Sequence, residues 1–108
     1  AKEQWAWLEK HAEPALAARS LLINAQLRER EGQYSQAIAL YQRQLIRYPE
    51  GPHLVAAQLG LAALYERRGD IAQALKTCET ALLQHPDDAR APEIRLRIQR
   101  LRQLRENG

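Results

Sequence analysis

One cysteine, no methionine and few β-branched residues are present in this chain, and no apolar run approaches the length of a bilayer span. A single Cys78 excludes an internal disulfide and says little about redox compartment. The apolar segments are too short for a transmembrane helix, and no signal-peptide hydrophobic segment is present. Methionine is missing even from the first position, Ala1, which points to a processed or excised chain; the lack of a leader therefore says little about location. Motifs that carry chemistry are equally scarce. His11, His53 and His85 are far apart and none belongs to a metal-binding spacing. Cys78 has no neighbouring His or acid arrangement that marks a nucleophile, and at a core position it reads as a small buried hydrophobe. Glycine-rich phosphate loops and paired-carboxylate constellations are absent. The expectation is no catalytic residue, no cofactor and no metal.

The composition that remains is ordinary for a globular domain. Of 108 residues, 45% are apolar and 27% charged, enough for one domain with its own core. Ala, Leu, Gln, Glu and Arg dominate, and these favour helix; an all-α fold follows. The net charge of +3 is unevenly placed. Residues 1–89 hold 10 basic and 11 acidic side chains, whereas residues 90–108 hold 6 arginines against Glu93 and Glu106.

Punctuation along the chain predicts about six helices with short connections, paired as antiparallel hairpins. A short helix over 2–12 carries Trp5 and Trp7. Pro14 suits the first turn of the next, where its missing N–H costs nothing. That helix runs to about Glu31 and ends at Gly32, a residue that takes the left-handed conformation without strain. The third covers about 34–48 and stops before Pro49. Pro52 is expected to open a fourth, running to Arg68, with Gly69 closing it. Asp70 can cap the fifth, with Gln73 three residues on. Asp87 and Asp88 then favour the N-terminus of a sixth, about 90–106.

Ten residues recur at a displacement of 37: Leu22/Leu59, Ala25/Ala62, Leu27/Leu64, Glu29/Glu66, Arg30/Arg67, Gly32/Gly69, Gln36/Gln73, Ala37/Ala74, Leu45/Leu82 and Pro49/Pro86. A fixed period in this range is the mark of stacked repeat units. Small Ala37 and Ala74 allow close approach of two helices, the glycines make the turns, and Tyr41, Leu45, Leu61, Tyr65 and Leu82 fill space between layers. In this order the pattern resembles the tetratricopeptide repeat, a helix–turn–helix unit of about 34 residues. The resemblance implies a tetratricopeptide-like α-solenoid of two repeats, 14–51 and 52–88, flanked by the helix over 2–12 and a capping helix over 90–106. Leu21 and Gln58 stand where the family has Trp, and Gln44 where Ala is usual. Three extra residues per period fall at Glu50-Gly51-Pro52. With Tyr48-Pro49 before them, they resemble a longer-period subclass common in bacterial cell-envelope proteins. Ile94, Ile98 and Leu101 form a stripe that can cover the second repeat, with Arg95, Arg100, Arg102 and Arg105 largely on the other side.

In this family the first helix of each pair lines a concave groove. By position, the resemblance places Arg19, Leu22, Gln26, Glu29 and Arg30 of the first repeat there, and Ala56, Leu59, Ala63, Glu66 and Arg67 of the second. The Lys/Asn/Arg set that clamps a C-terminal carboxylate in some members is missing, because Leu22, Gln26, Leu59 and Ala63 occupy those places. An apolar groove with a polar rim suits a helix or an extended peptide; against this stands packing of Leu22 and Leu59 between adjacent helices. Trp5, Trp7 and Leu8 are candidates for self-association, or for docking the first helix on its neighbour. The arginine-rich segment after Ala89 contains no aromatic residue to stack on bases, which speaks against nucleic acid; a solvated face explains its arginines, with an anionic protein or lipid surface as the alternative.

The reading that results is a scaffold module that binds a peptide or helix of a protein partner, as part of a bacterial envelope or secretion assembly. The alternatives are a homo-oligomerisation domain of a larger protein and the regulatory tetratricopeptide domain of a signalling or transcription protein. Direct membrane insertion is not expected. The compartment stays open, with periplasm or envelope favoured over cytoplasm.

Overall fold

A computed structural model describes residues 14–49, 51 and 53–107, and in them the chain forms five α-helices. These are α1 (Pro14–Arg30), α2 (Tyr34–Arg47), α3 (Leu54–Arg67), α4 (Ile71–Gln84) and α5 (Ala91–Asn107). The helix expected over 2–12, with Trp5, Trp7 and Leu8, lies outside the described residues, as does Pro52. The others fall within two residues of the expected bounds.

The two glycine turns are built alike. Gly32 has φ +80° and Gly69 φ +82°, a conformation that an L side chain enters only with strain. Behind Gly32, the Gln33 N–H reaches the Arg28 carbonyl at 2.9 Å and the Gly32 N–H reaches Glu29 at 3.1 Å. Asp70 to Tyr65 at 2.8 Å and Gly69 to Glu66 at 3.0 Å repeat the pattern. This double closure satisfies carbonyls that the helix end leaves unpaired and turns the chain back sharply. Asp70 then caps α4, its Oδ1 accepting from the Gln73 N–H at 3.3 Å.

The start of α3 is later than Pro52. Gly51 adopts φ +115°, outside helical values, and regular helix begins at Leu54. Before α5, Asp88 accepts the Arg90 N–H at 2.9 Å and its Nε at 3.2 Å. Those bonds, the backbone one first, hold the Asp88 carboxyl below its ordinary range.

The chain resolves into two compact units, and the division falls inside α3, after Ala57. In the first, α1 and α2 pack as an antiparallel hairpin. Ala17, Leu21 and Ala25 of α1 and Ala37, Ile38 and Tyr41 of α2 are buried. Alanine at 25 and 37 puts only a methyl group between the backbones, and both are fully excluded from solvent. In the second, α4 packs antiparallel to α3 and α5 packs on α4. Leu61, Ala62 and Leu64 of α3, Ala74, Leu75, Cys78 and Ala81 of α4, and Ala91, Ile94, Ile98 and Leu101 of α5 are buried. The stripe expected on the last helix therefore faces inward. Cys78 is a buried free thiol whose pKa is raised, first by burial.

Candidate functional interface

On α1 the residues assigned to a binding face divide by accessibility. Arg19, Gln26 and Arg30 are exposed, and Glu29 is half-buried. Leu22 is only 7% accessible and belongs to the core. On α3, Arg67 is exposed, while Ala56, Leu59, Ala63 and Glu66 are half-buried. On α1 the set is thus polar except for buried Leu22, and on α3 three half-buried apolar positions lead to a polar C-terminal end, each helix taken by itself.

Both glutamates of this set are held from another helix. The Tyr41 hydroxyl on α2 donates to Glu29 Oε1 at 2.8 Å. Burial raises the pKa of that phenol well above its ordinary value, and the bond and negative charge of Glu29 add to the effect. In the second repeat, Arg100 of α5 donates to Glu66 Oε1 at 2.8 Å. Two differences between the repeats accompany this change of partner. Cys78 occupies the repeat position of Tyr41, and a thiol is too weak a donor to replace the phenol. The guanidinium comes instead from the capping helix, a pairing that repeat alignment did not reveal because Arg100 has Ala63 as its counterpart.

Arg102 likewise reaches back, to Glu79 of α4 at 2.9 Å. Two of the arginines read as a solvated face therefore tie α5 to α3 and α4, though such exposed pairs each contribute only about 0–1 kcal/mol. The departures at Gln44 and Gln58 are buried polar residues. Gln58 Nε2 donates to Gln84 Oε1 at 3.1 Å, which links the open ends of α3 and α4.

Helix pairs with glycine turns, a buried alanine in each second helix and a 37-residue register are now joined by a direct comparison: residues 29–95, well over half of the chain, match the tetratricopeptide repeat. The chain belongs to the tetratricopeptide repeat family. Searches of curated proteins and of solved structures return no significant match. Tetratricopeptide domains are in general protein–protein interaction modules and typically non-catalytic scaffolds. Among the described residues, no helix is long and apolar enough to cross a membrane, and no group of three His, Cys, Asp or Glu side chains is placed to hold a metal ion.

Proposed function

We propose that this tetratricopeptide domain binds a peptide or helix of a partner protein along its first helices, α1 and α3, and serves as an adaptor in a bacterial envelope or secretion assembly. Family membership carries the binding part of this reading. Each first helix, taken by itself, offers positions for such a ligand: accessible Arg19, Gln26 and Arg30 on α1, and on α3 accessible Arg67 with half-buried Leu59 and Ala63. The envelope setting rests on the junction Tyr48-Pro49-Glu50-Gly51-Pro52, with its three residues beyond the usual period.

A capture experiment tests both parts. The domain is immobilised and offered separated envelope and cytosolic fractions, then the experiment is repeated with Arg19→Glu, Gln26→Glu and Ala63→Glu. Leu22→Glu is unsuitable, because a buried carboxylate would unfold the hairpin. Loss of a specific envelope protein with variants that keep the wild-type melting curve supports the reading. Capture indifferent to all three substitutions rejects the first helices as the binding face, and capture from cytosol alone rejects the envelope role.

A further inference from the structure

Between α4 and α5 lies an open groove of about 530 Å³. One wall is Glu79, Leu82 and Leu83 of α4 with Pro86 just beyond the helix end, and the other is the α5 stripe Arg95, Ile98, Gln99 and Arg102. The α5 stripe follows the i, i+3, i+4, i+7 spacing by which one helix face receives another helix, and Glu79, Leu82 and Leu83 follow its i, i+3, i+4 part. The repeat register shows what is unusual here. Shifted back by 37, the α5 stripe becomes Gln58, Leu61, Ala62 and Tyr65 of α3. The first three of these are buried, and Gln58 is hydrogen-bonded to α4. One further step back, Leu21 and Ala25 of α1 are buried too. On α5 the same stripe is open at Arg95, Gln99 and Arg102.

Its chemistry has also changed. Gln99 stands where Ala25 and Ala62 permit close packing, so a helix seated here rides farther out than a hairpin partner does. Arg95 replaces Gln58 and has no carboxylate within ion-pair distance among the described residues, while Arg102 is already paired with Glu79. On the α4 side Leu83 is 83% exposed; Ile46, its repeat counterpart, is 82% exposed, so exposure alone marks nothing. The combination of apolar Leu82, Leu83 and Pro86 with a cation, Arg95, left over once Glu79 is paired to Arg102 does select a ligand.

We propose that this groove docks an amphipathic helix of a partner protein, with aliphatic side chains laid on Leu82, Leu83 and Pro86 and carboxylates turned toward Arg95. Charge complementarity sets the orientation, and the two walls accommodate about two helical turns. None of the α1 or α3 residues proposed above takes part, so either site can fail without the other.

The probe is a stapled, fluorescent helical peptide with leucines at i, i+3, i+4 and i+7 and flanking glutamates, titrated by anisotropy against the whole domain. A second peptide carries lysine in place of each glutamate. The glutamate peptide should bind more tightly by about tenfold at low salt, with the gap closing at high salt. Arg95→Glu should weaken it about fivefold and Leu83→Ser about tenfold, both without altering the melting curve. Amide shifts in a nitrogen-15 spectrum should cluster at Leu82, Leu83, Ile98 and Gln99. Equal binding of the two peptides, indifference to both substitutions, or shifts confined to α1 and α3 would overturn the proposal. So would self-association of the free domain that Leu83→Ser abolishes, since a second copy would then fill the groove.

Discussion

Tyr41→Phe isolates one bond and keeps the core shape. Tyr41 is 1% accessible, and its hydroxyl donates to Glu29 Oε1 at 2.8 Å. Bonds to a charged partner contribute about 1.5–3 kcal/mol net. Glu29 is half-buried, so water can rehydrate its carboxylate once the hydroxyl is gone, and the expected loss falls to about 1–1.5 kcal/mol. For a domain of this size that corresponds to a Tm lower by about 5 °C. Glu29→Ala removes the other partner and should cost at least as much, because it strands the phenol in the core. Adding Tyr41→Phe to Glu29→Ala should then cost less than the two single losses together, by about 1 kcal/mol.

Alkali supplies an independent readout. Folding raises the phenol pKa above its ordinary value of 10.0, so the folded state holds that proton more tightly than the unfolded chain. The resulting stability is complete below about pH 10 and is lost as pH rises beyond it toward the folded-state pKa. Tyr41→Phe has no such loss, and its deficit against wild type should narrow above pH 10. Urea melts at neutral and alkaline pH measure both effects. A Tyr41→Phe variant within about 0.3 kcal/mol of wild type, or strictly additive single losses, would refute the reasoning.

Three further outcomes are expected. Gly69→Ala places a Cβ in open space but at φ +82°, so it should destabilise the domain by about 1 kcal/mol in thermal melts, with Gly69→Asn milder. Cys78 should react with a thiol reagent orders of magnitude more slowly in the native domain than in denaturant, since the thiol is buried and its pKa raised; fast native labelling would show that the core is open. Leu101→Ala on α5 should cost about 2–4 kcal/mol by urea unfolding, because Leu101 is fully buried, and a cost below about 1 kcal/mol would show that α5 is not part of the cooperative core.

Most of the helical framework was legible before any coordinates. Gly32 and Gly69 ended helices where expected because only the backbone conformation near φ +80° closes both capping bonds, and glycine enters it freely. Asp70 was recognisable as a cap for an equally local reason. The helix expected to open at Pro52 begins at Leu54 instead. The candidate interface was less legible. Leu22 and Leu59 are repeat equivalents with the same side chain, yet Leu22 is buried and Leu59 half-buried.

Local rules act over a few residues, and so the sequence by itself determined the helices, their turns, their caps and the family that the 37-residue register marks. Distant partners are a matter of packing. That Glu29 is held by Tyr41 but Glu66 by Arg100, and that Arg102 spans to Glu79, depended on which helices lie side by side. The open α5 stripe was decided the same way. A helix face reads as apolar or basic from its own residues, but whether it is covered is a property of its neighbours.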